Sequence, residues 1–340
     1  MIIRDATEND NAKMLEIQKS SAQAGEFEIT IIKKDFKSKS GFYSDGFYLV
    51  AEDELASDII GFLGVGIDTF KVKDKIYKVA YFYDLRTNPK YRGKVARWLK
   101  GIIEEVSNRL RKIGIDFYFA SVKADNQPSM KLLKHFDLTS IYNYITYTIP
   151  VFNRKISKNI ETDFNIKELE DFYSERNKEI DFLPINLKNT FLKKMRDQKR
   201  LVKLSYKSAQ IIGWDTEDIA DIGLTKLSKK YSIPLKILSV TSRLFPFINA
   251  PVLHKAMKTF RIIQFKYEEK NDFKILLKSL NGYCYNKNIF LIIFFIPENL
   301  SFNDKILGIL KFRTDFNIVA NSVTNVDFSN IKNFITLPRL

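Results

Sequence analysis

The sequence predicts an α/β protein made of two units, and three observations predict it. Within residues 79–138 an apolar, β-prone run gives way to a basic turn containing glycine, then a long amphipathic helix, a second β-prone run and a shorter helix. Elements of the same kinds recur in similar order between residues 151 and 340. Between the two lies the polar, charged stretch NRKISKNIETD, which reads as a boundary near 150–163 and divides the chain into 1–150 and 151–340. At 340 residues each unit is long enough to bury a core of its own.

Along the chain, residues 2–18 read as a strand followed by a helix, with Thr7 as cap and Glu8 and Asp10 as early negative charge. The next stretch, SAQAGEFEITIIKKDF, reads for the most part as a connector with a packed apolar face. Residues 47–68 carry two apolar runs around the polar turn AEDELASD, a hairpin signal. Residues 79–85 form the next strand. Simple alternation puts Phe82 and Asp84 on one face and Tyr81, Tyr83 and Leu85 on the other.

The stretch DLRTNPKYRGKVARW (84–98) then has the character of a phosphate site. Backbone N–H groups left free at a helix N-terminus point outward and carry the positive end of the helix dipole. Arg92, Lys94 and Arg97 add positive charge, Gly93 lets the backbone approach a ligand, and Pro89 ends the strand. Val95, Trp98, Leu99, Ile102, Ile103, Val106, Leu110 and Ile113 follow at the spacing of one buried helix face, and Gly114 closes the helix. IDFYFASV (115–122) reads as a strand, and Asn126, Pro128 and Ser129 open a helix through MKLLKHF.

These residues resemble the GNAT family, the Gcn5-related N-acetyltransferases. DLRTNPKYRGK resembles the family's central strand and pyrophosphate loop, and ADNQPSMKLLKHFDL resembles its N-x-P-A…L-Y-x-K-x-G-F segment; residues 2–150 can be laid along the whole family fold. Three departures stand out. The family loop reads Arg/Gln-x-x-Gly-x-Gly/Ala, whereas counting from Arg92 places Val95 and Arg97 at the small positions, or Ala96 at the last of them if one residue is deleted. The tyrosine that often protonates the leaving thiolate falls on Leu133. The family's Gly-Phe pair falls on Asp137 and Leu138.

The resemblance implies a mixed, mainly antiparallel sheet flanked by helices and present twice, the second copy degenerate. It implies transfer of acetyl, or another acyl group, from acetyl-CoA or another acyl-CoA to an amine by direct attack in a ternary complex. Leu85, Arg86, Thr87, Arg92, Gly93, Lys94, Val95, Ala96, Arg97, Asn126 and Ser129 are the implied coenzyme A contacts, and no metal is implied. Asp84 is the candidate catalytic residue, because an ammonium must lose a proton before it can attack a thioester. The other reading of Asp84 is that it holds backbone or Arg86 in place. With Leu133 unable to donate, Tyr142, Tyr144, Tyr147 or solvent is left to protonate the thiolate. The acceptor, a small molecule or a peptide, is not specified by the sequence.

In 151–340 the expected elements are a helix at NIKELEDFYSERN, a helix and hairpin at 191–215, a strand at FRIIQFKYE, a helix at 271–286, a strand at 289–296, a helix at NDKILGILKF and a last strand at NIVANSVT. The turn EKNDFK lacks the phosphate-loop pattern and is expected not to bind coenzyme A. A segment at about 227–258 interrupts the copy. The net charge of +15 arises mainly in this half, with 32 Lys and Arg against 20 Asp and Glu. That scattered excess reads as a solvated basic surface rather than a nucleic-acid stripe. One cysteine, Cys284, gives no disulfide framework and is not assigned as a nucleophile, and two histidines, His135 and His254, offer little for a metal. The longest apolar run, 289–296, falls far short of the roughly 20 residues of a membrane span, so a cytoplasmic protein is expected. Two further readings are a catalytically inactive module on the same fold and a basic protein with an RNA or ribosomal partner, for which steep weakening with salt is the test.

Overall fold

In the first unit the long helix at 95–113 and the helix at 11–20 pack on opposite faces of one sheet. The computed structural model describes residues 1–20, 27–33, 35–134, 137–157, 160, 182–185, 191–197, 200–216, 220–227, 233, 237, 240, 255–297, 302–308, 310–329 and 331. The helix expected at 165–177, most of the interruption at 227–258, and His135 and His254 lie outside the described residues.

Strand β1 (Ile2–Asp5) leads through a 3-10 turn (Glu8–Asp10) into α1 (Asn11–Ser20). The Asp10 carboxylate accepts from the Thr7 backbone N–H at 2.7 Å and so caps the turn. β2 (Phe27–Lys33) and the single turn α2 (Lys37–Ser40) follow, then the hairpin β3 (Asp45–Asp53) and β4 (Asp58–Val72), and β5 (Lys75–Thr87). A 3-10 turn (Pro89–Lys94) opens α3 (Val95–Ile113), and Gly114, at φ +73, ends it. β6 (Phe117–Lys123), α4 (Gln127–Lys134) and β7 (Thr139–Pro150) complete the half.

The second half adds β8 (Phe182–Pro184), α5 (Phe191–Asp197), the hairpin β9 (Leu201–Tyr206) and β10 (Ala209–Asp215), β11 (Ala220–Leu227), β12 (Ala256–Met257), β13 (Thr259–Lys266), α6 (Lys270–Asn286), β14 (Leu291–Pro297) and β15 (Phe312–Ser322). The helix expected at 303–312 is a correction: only a 3-10 turn forms, Asp304–Leu307, because Gly308 at φ +89 breaks it and the chain goes over to β15.

The strands join in one sheet in the order β1-β3-β4-β5-β6-β15-β7-β14-β13-β10-β9, with β8 paired to β4. Among the described strands only β5–β6 and β13–β14 are parallel; the other pairs are antiparallel. The two parallel pairs correspond, and the middle of the sheet is an exchange. β15, from the end of the chain, lies between β6 and β7, and β7, from the first half, lies between β15 and β14. Each half therefore supplies the strand that flanks the other half's parallel pair. A second sheet, β12-β11-β2, likewise draws β2 from one half and β11 from the other.

Trp98, Leu99, Ile102, Val106 and Leu110 of α3 pack on one face of the first unit's sheet with Leu63, Phe82 and Ala120. The opposite face carries an aromatic core in which Tyr48, Tyr81, Tyr83, Phe117 and Phe119 meet Met14 and Ile17 of α1. α6 covers the second unit's core, where Cys284 is fully buried among aliphatic and aromatic neighbours. Gly64 leaves the space in which Tyr48 and Tyr83 close over the sheet, since a Cβ there would lie 2.4 Å from the Tyr83 ring and 2.7 Å from the Tyr48 ring. Gly64→Ala is expected to cost about 1–3 kcal/mol by overpacking, read as a lower denaturant midpoint with unchanged slope; an unchanged midpoint would show that the two rings yield freely.

Candidate active site

β5 is regular until Tyr83 and then slips. Against β4 its register runs Gly64↔Tyr83 and then Phe62↔Arg86, so Asp84 and Leu85 together face only Leu63. This is a β-bulge, and Asp84 sits in it at φ +54, a left-handed conformation that the short polar Asp tolerates better than most residues. The bulge corrects the alternation read from the sequence. Asp84 does not share Phe82's face: its carboxylate turns to Tyr48 and the lysines on the aromatic side, and Leu85 packs with Phe82 on the α3 side.

The bulge also parts two strands. β5 and β6 pair in parallel only as far as Phe82↔Ala120, although β5 continues to Thr87 and β6 to Lys123. A cavity of about 260 Å³ opens between them, and its walls include Tyr83, Asp84, Leu85, Arg86, Ser121, Lys123, Asn126 and Ser129. Tyr144 of β7, Phe316 of β15, and Arg261 and Ile293 of the second half's parallel pair line its far side.

Inside this cavity Asp84 is a lone carboxylate among cations. Its side chain is 4% exposed, it is ion-paired and hydrogen-bonded to Lys33 Nζ, it accepts from the Tyr48 hydroxyl at 3.0 Å, and Lys39 Nζ stands 3.6 Å from its other oxygen. Burial alone would raise the Asp84 carboxyl, but Lys33, Lys39 and Arg86 outweigh it and hold the group well below the usual carboxylate range. Burial pushes Lys33 down against the attraction of Asp84. Burial also brings Lys39 down to about 7, with Lys33, Arg261 and Arg86 acting in the same direction and Asp84 opposing. Lys39 Nζ lies 4.4 Å from the centre of the Tyr83 ring, a cation–π contact that favours the charged form. Arg86 and Arg261 are both lowered by burial, Arg261 to about 10.

Three residues beyond Asp84 the strand ends and the turn begins. Asn88 caps it, accepting from the Lys90 N–H at 3.1 Å while its own amide donates to the Ile59 carbonyl at 2.8 Å. Arg92 and Gly93 are exposed on this turn, and a Cβ built on Gly93 would meet nothing within 4 Å, so the space in front of it is open. The turn thus presents an open, basic face at the start of α3.

Residues 12–137 match the acetyltransferase (GNAT) family model. Over that stretch the chain is similar to the GNAT family. Two solved structures of Saccharomyces cerevisiae N-myristoyltransferase with bound myristoyl-CoA share the fold of the entire chain. One is 8% identical with a TM-score of 0.64, covering 98% of this chain and 89% of that one. The other is 9% identical with a TM-score of 0.62, covering 94% and 79%. No curated protein sequence matches the chain. The GNAT fold is present twice, as the exchange of β7 and β15 between two equivalent parallel pairs already indicates.

In the second GNAT unit β13 bulges at the equivalent place. Its register against β10 runs Gly213↔Ile262 and then Ile212↔Gln264, and its parallel pairing with β14 ends at Ile262↔Phe294. Gln264 stands two residues beyond Ile262 as Asp84 stands two beyond Phe82. In the turn that follows, Glu269 stands at the N-cap position of α6 without a side-chain capping bond, and Asp272 stands in the first turn, where it accepts from the Ser208 hydroxyl at 2.9 Å. Negative charge at that end of the helix disfavours a phosphate there.

Of the residues singled out in the sequence, the cavity brings together Asp84, Leu85, Arg86, Asn126 and Ser129, along with Leu133. Asn126 also caps α4, accepting from the Ser129 N–H at 3.2 Å. Thr87, Arg92 and Gly93 belong to the strand end and turn outside it. Val95 packs beneath the turn against the α3 core, and the side chains of Lys94, Ala96 and Arg97 lie outside the described residues. Of the three tyrosines only Tyr144 reaches the cavity, its hydroxyl 2.6 Å from Ser121 Oγ; Tyr147 turns toward Asp304. Sequence reasoning missed Lys33, Lys39, Tyr48, Lys123 and Arg261. The signal for two of them, Lys33 and Arg261, was present as charge inside apolar runs, in EITIIKKDF and FRIIQFKYE.

Lys39 has a consequence for stability. Between its folded value of about 7 and its ordinary 10.5 the unfolded chain holds a proton that the folded chain has lost, so its contribution to stability rises with pH across that window. Lys39→Met is therefore expected to raise the melting temperature most at pH 6, with the gain fading between pH 7 and 10. A gain independent of pH would show that Lys39 carries an ordinary charge in the folded protein.

Proposed function

We propose that this chain is an acyl-CoA-dependent N-acyltransferase that moves acetyl, or a longer acyl group, from coenzyme A to an amine by direct attack in a ternary complex. One observation carries the reading: a single strand, β5, joins a cavity of buried charge at Asp84 to an open basic turn at Arg92 and Gly93. An acyl-CoA needs both, a place for its pyrophosphate and a sheltered gap for its thioester. The bound myristoyl-CoA of the structurally similar yeast enzyme supports an acyl-CoA as the donor.

In this reading Arg92, Gly93 and the start of α3, with Lys94, Val95, Ala96 and Arg97, hold the pyrophosphate. Leu85, Arg86 and Thr87 guide the chain of the donor inward, with Asn126 and Ser129 on the opposite wall. In this reading a backbone N–H of β5 beyond Phe82, where pairing with β6 has ended, polarises the thioester carbonyl as the amine adds, an effect worth roughly 3–4 kcal/mol in comparable sites.

The proton balance is simple. An acceptor ammonium gives up one proton before attack; the amine nitrogen then bonds to the thioester carbon, the C–S bond breaks, and the nitrogen's next proton ends on the coenzyme A thiolate. Lys39, poised near neutrality, receives the first proton and passes it to solvent. Asp84 stays ionised, holds Lys33 and Lys39 in the cavity and governs how readily Lys39 takes up a proton. Tyr144, on the cavity wall, is the side chain placed nearest the role that Leu133 cannot fill.

The test is a thermal shift with coenzyme A, acetyl-CoA and longer acyl-CoAs, paired with thiol release over a panel of amines. A donor at about 100 times its dissociation constant adds about 2.7 kcal/mol, a rise of roughly 4 °C for a chain of this size. Arg92→Glu is expected to abolish the rise. Donor binding without thiol release from any amine would establish the inactive-module reading instead.

A further inference from the structure

The cavity's charge is unbalanced in a way that bears on what it accepts. Among the described residues lining it are Lys39, Arg86, Lys123 and Arg261; Asp84 is the sole carboxylate of the lining, and Asp125, outside it, stands 3.9 Å from Lys123 Nζ. Lys33 stands directly behind, and the oxygens of Asp84 are already taken up by Lys33, Lys39 and the Tyr48 hydroxyl. Lys39 and Lys123 are 7% and 8% exposed and Arg261 5%. Arg86 Nε is buried and makes no hydrogen bond. Cations gathered in so dry a space repel an ammonium and attract an anion.

A plain alkylamine is poorly matched to such a space, because it arrives as a further cation with nothing to offset it. An amine that also carries a carboxylate is matched on both counts. Its anion neutralises part of the excess, and the field of the remaining cations lowers the proton affinity of its amino group, favouring the form that attacks. Arg86 and Arg261 present planar guanidinium forks, the geometry that meets a carboxylate with two parallel hydrogen bonds. They approach from opposite halves of the fold, Arg86 from β5 and Arg261 from β13. A cavity of about 260 Å³ that also admits a thioester suits a small acceptor better than a long one.

We propose that the acceptor is a small amine bearing a carboxylate, an amino acid or a close relative, with the carboxylate received by Arg86 and Arg261, so that the second GNAT unit supplies a specificity residue to the first. The proposal rests on the N-acyltransferase reading for its reaction but not for its binding site.

The experiment compares amino acids with their carboxamides, alanine with alaninamide and β-alanine with its amide, in thiol release from acyl-CoA and, separately, in thermal shift without any donor. Amino acids are expected to be preferred at least tenfold in kcat/KM. Arg261→Gln is expected to collapse that ratio through KM, and Arg261→Lys to restore part of it, a pattern that a merely structural arginine would not produce. Equal use of acids and amides, or a loss in Arg261→Gln shared equally by both, overturns the proposal while leaving acyl transfer intact. If no amine releases thiol, the acyl-transfer reading fails and the thermal shift decides alone: stabilisation by the acids and not the amides sustains the anion site, and its absence overturns it.

Discussion

Much of this molecule depends on one irregularity, the two residues of β5 that face a single residue of β4. A regular strand would have kept Asp84 on the α3 side with Phe82 and kept β5 paired to β6 along its whole length. The bulge reverses the direction of the next side chain and lets the strands part, so one local defect makes both the cavity and the carboxylate inside it. Gly64 and the tyrosines around it are shaped to that event, with Tyr48 closing over the site and donating to Asp84. The left-handed conformation of Asp84 is then held by an ion pair on one oxygen and a second lysine near the other.

The second constraint is the exchange of β7 and β15. Because each flanks the other half's parallel pair, neither parallel pair completes its surroundings from its own stretch of sequence, and the two halves share one sheet. This is why Arg261, well over a hundred residues from Asp84 in sequence, lines the same cavity. The second copy retains the bulge and the parallel pair, and through Arg261 and Ile293 it contributes walls to the cavity.

The charges within the cavity are coupled through burial. Asp84 is ionised because lysines surround it, and Lys39 is brought down to about 7 because it is largely buried and other cations stand near it. A carboxylate held so firmly is well suited to fixing its neighbours and poorly suited to taking a proton near pH 7. In the proposed reaction this leaves the buried lysine to titrate and the aspartate to position it.

What the sequence determined by itself is local. The spacing of Trp98 through Leu110 specified α3, Gly114 specified its end, the polar turn between apolar runs specified the β3–β4 hairpin, and the order of elements specified a fold of two similar halves, because each of these signals lies within one or two turns of chain. The helix expected at 303–312 shows the limit, since Gly308 interrupts a pattern whose apolar spacing looked helical. Only the tertiary structure decided which side of the sheet Asp84 faces, because alternation presumes a regular register and the bulge is set by pairing with β4. Only tertiary structure decided that Lys33, Lys39 and Arg261 meet, because they lie on β2, α2 and β13 and come together through strands exchanged between halves, a long-range pairing that leaves no periodic trace in any one segment.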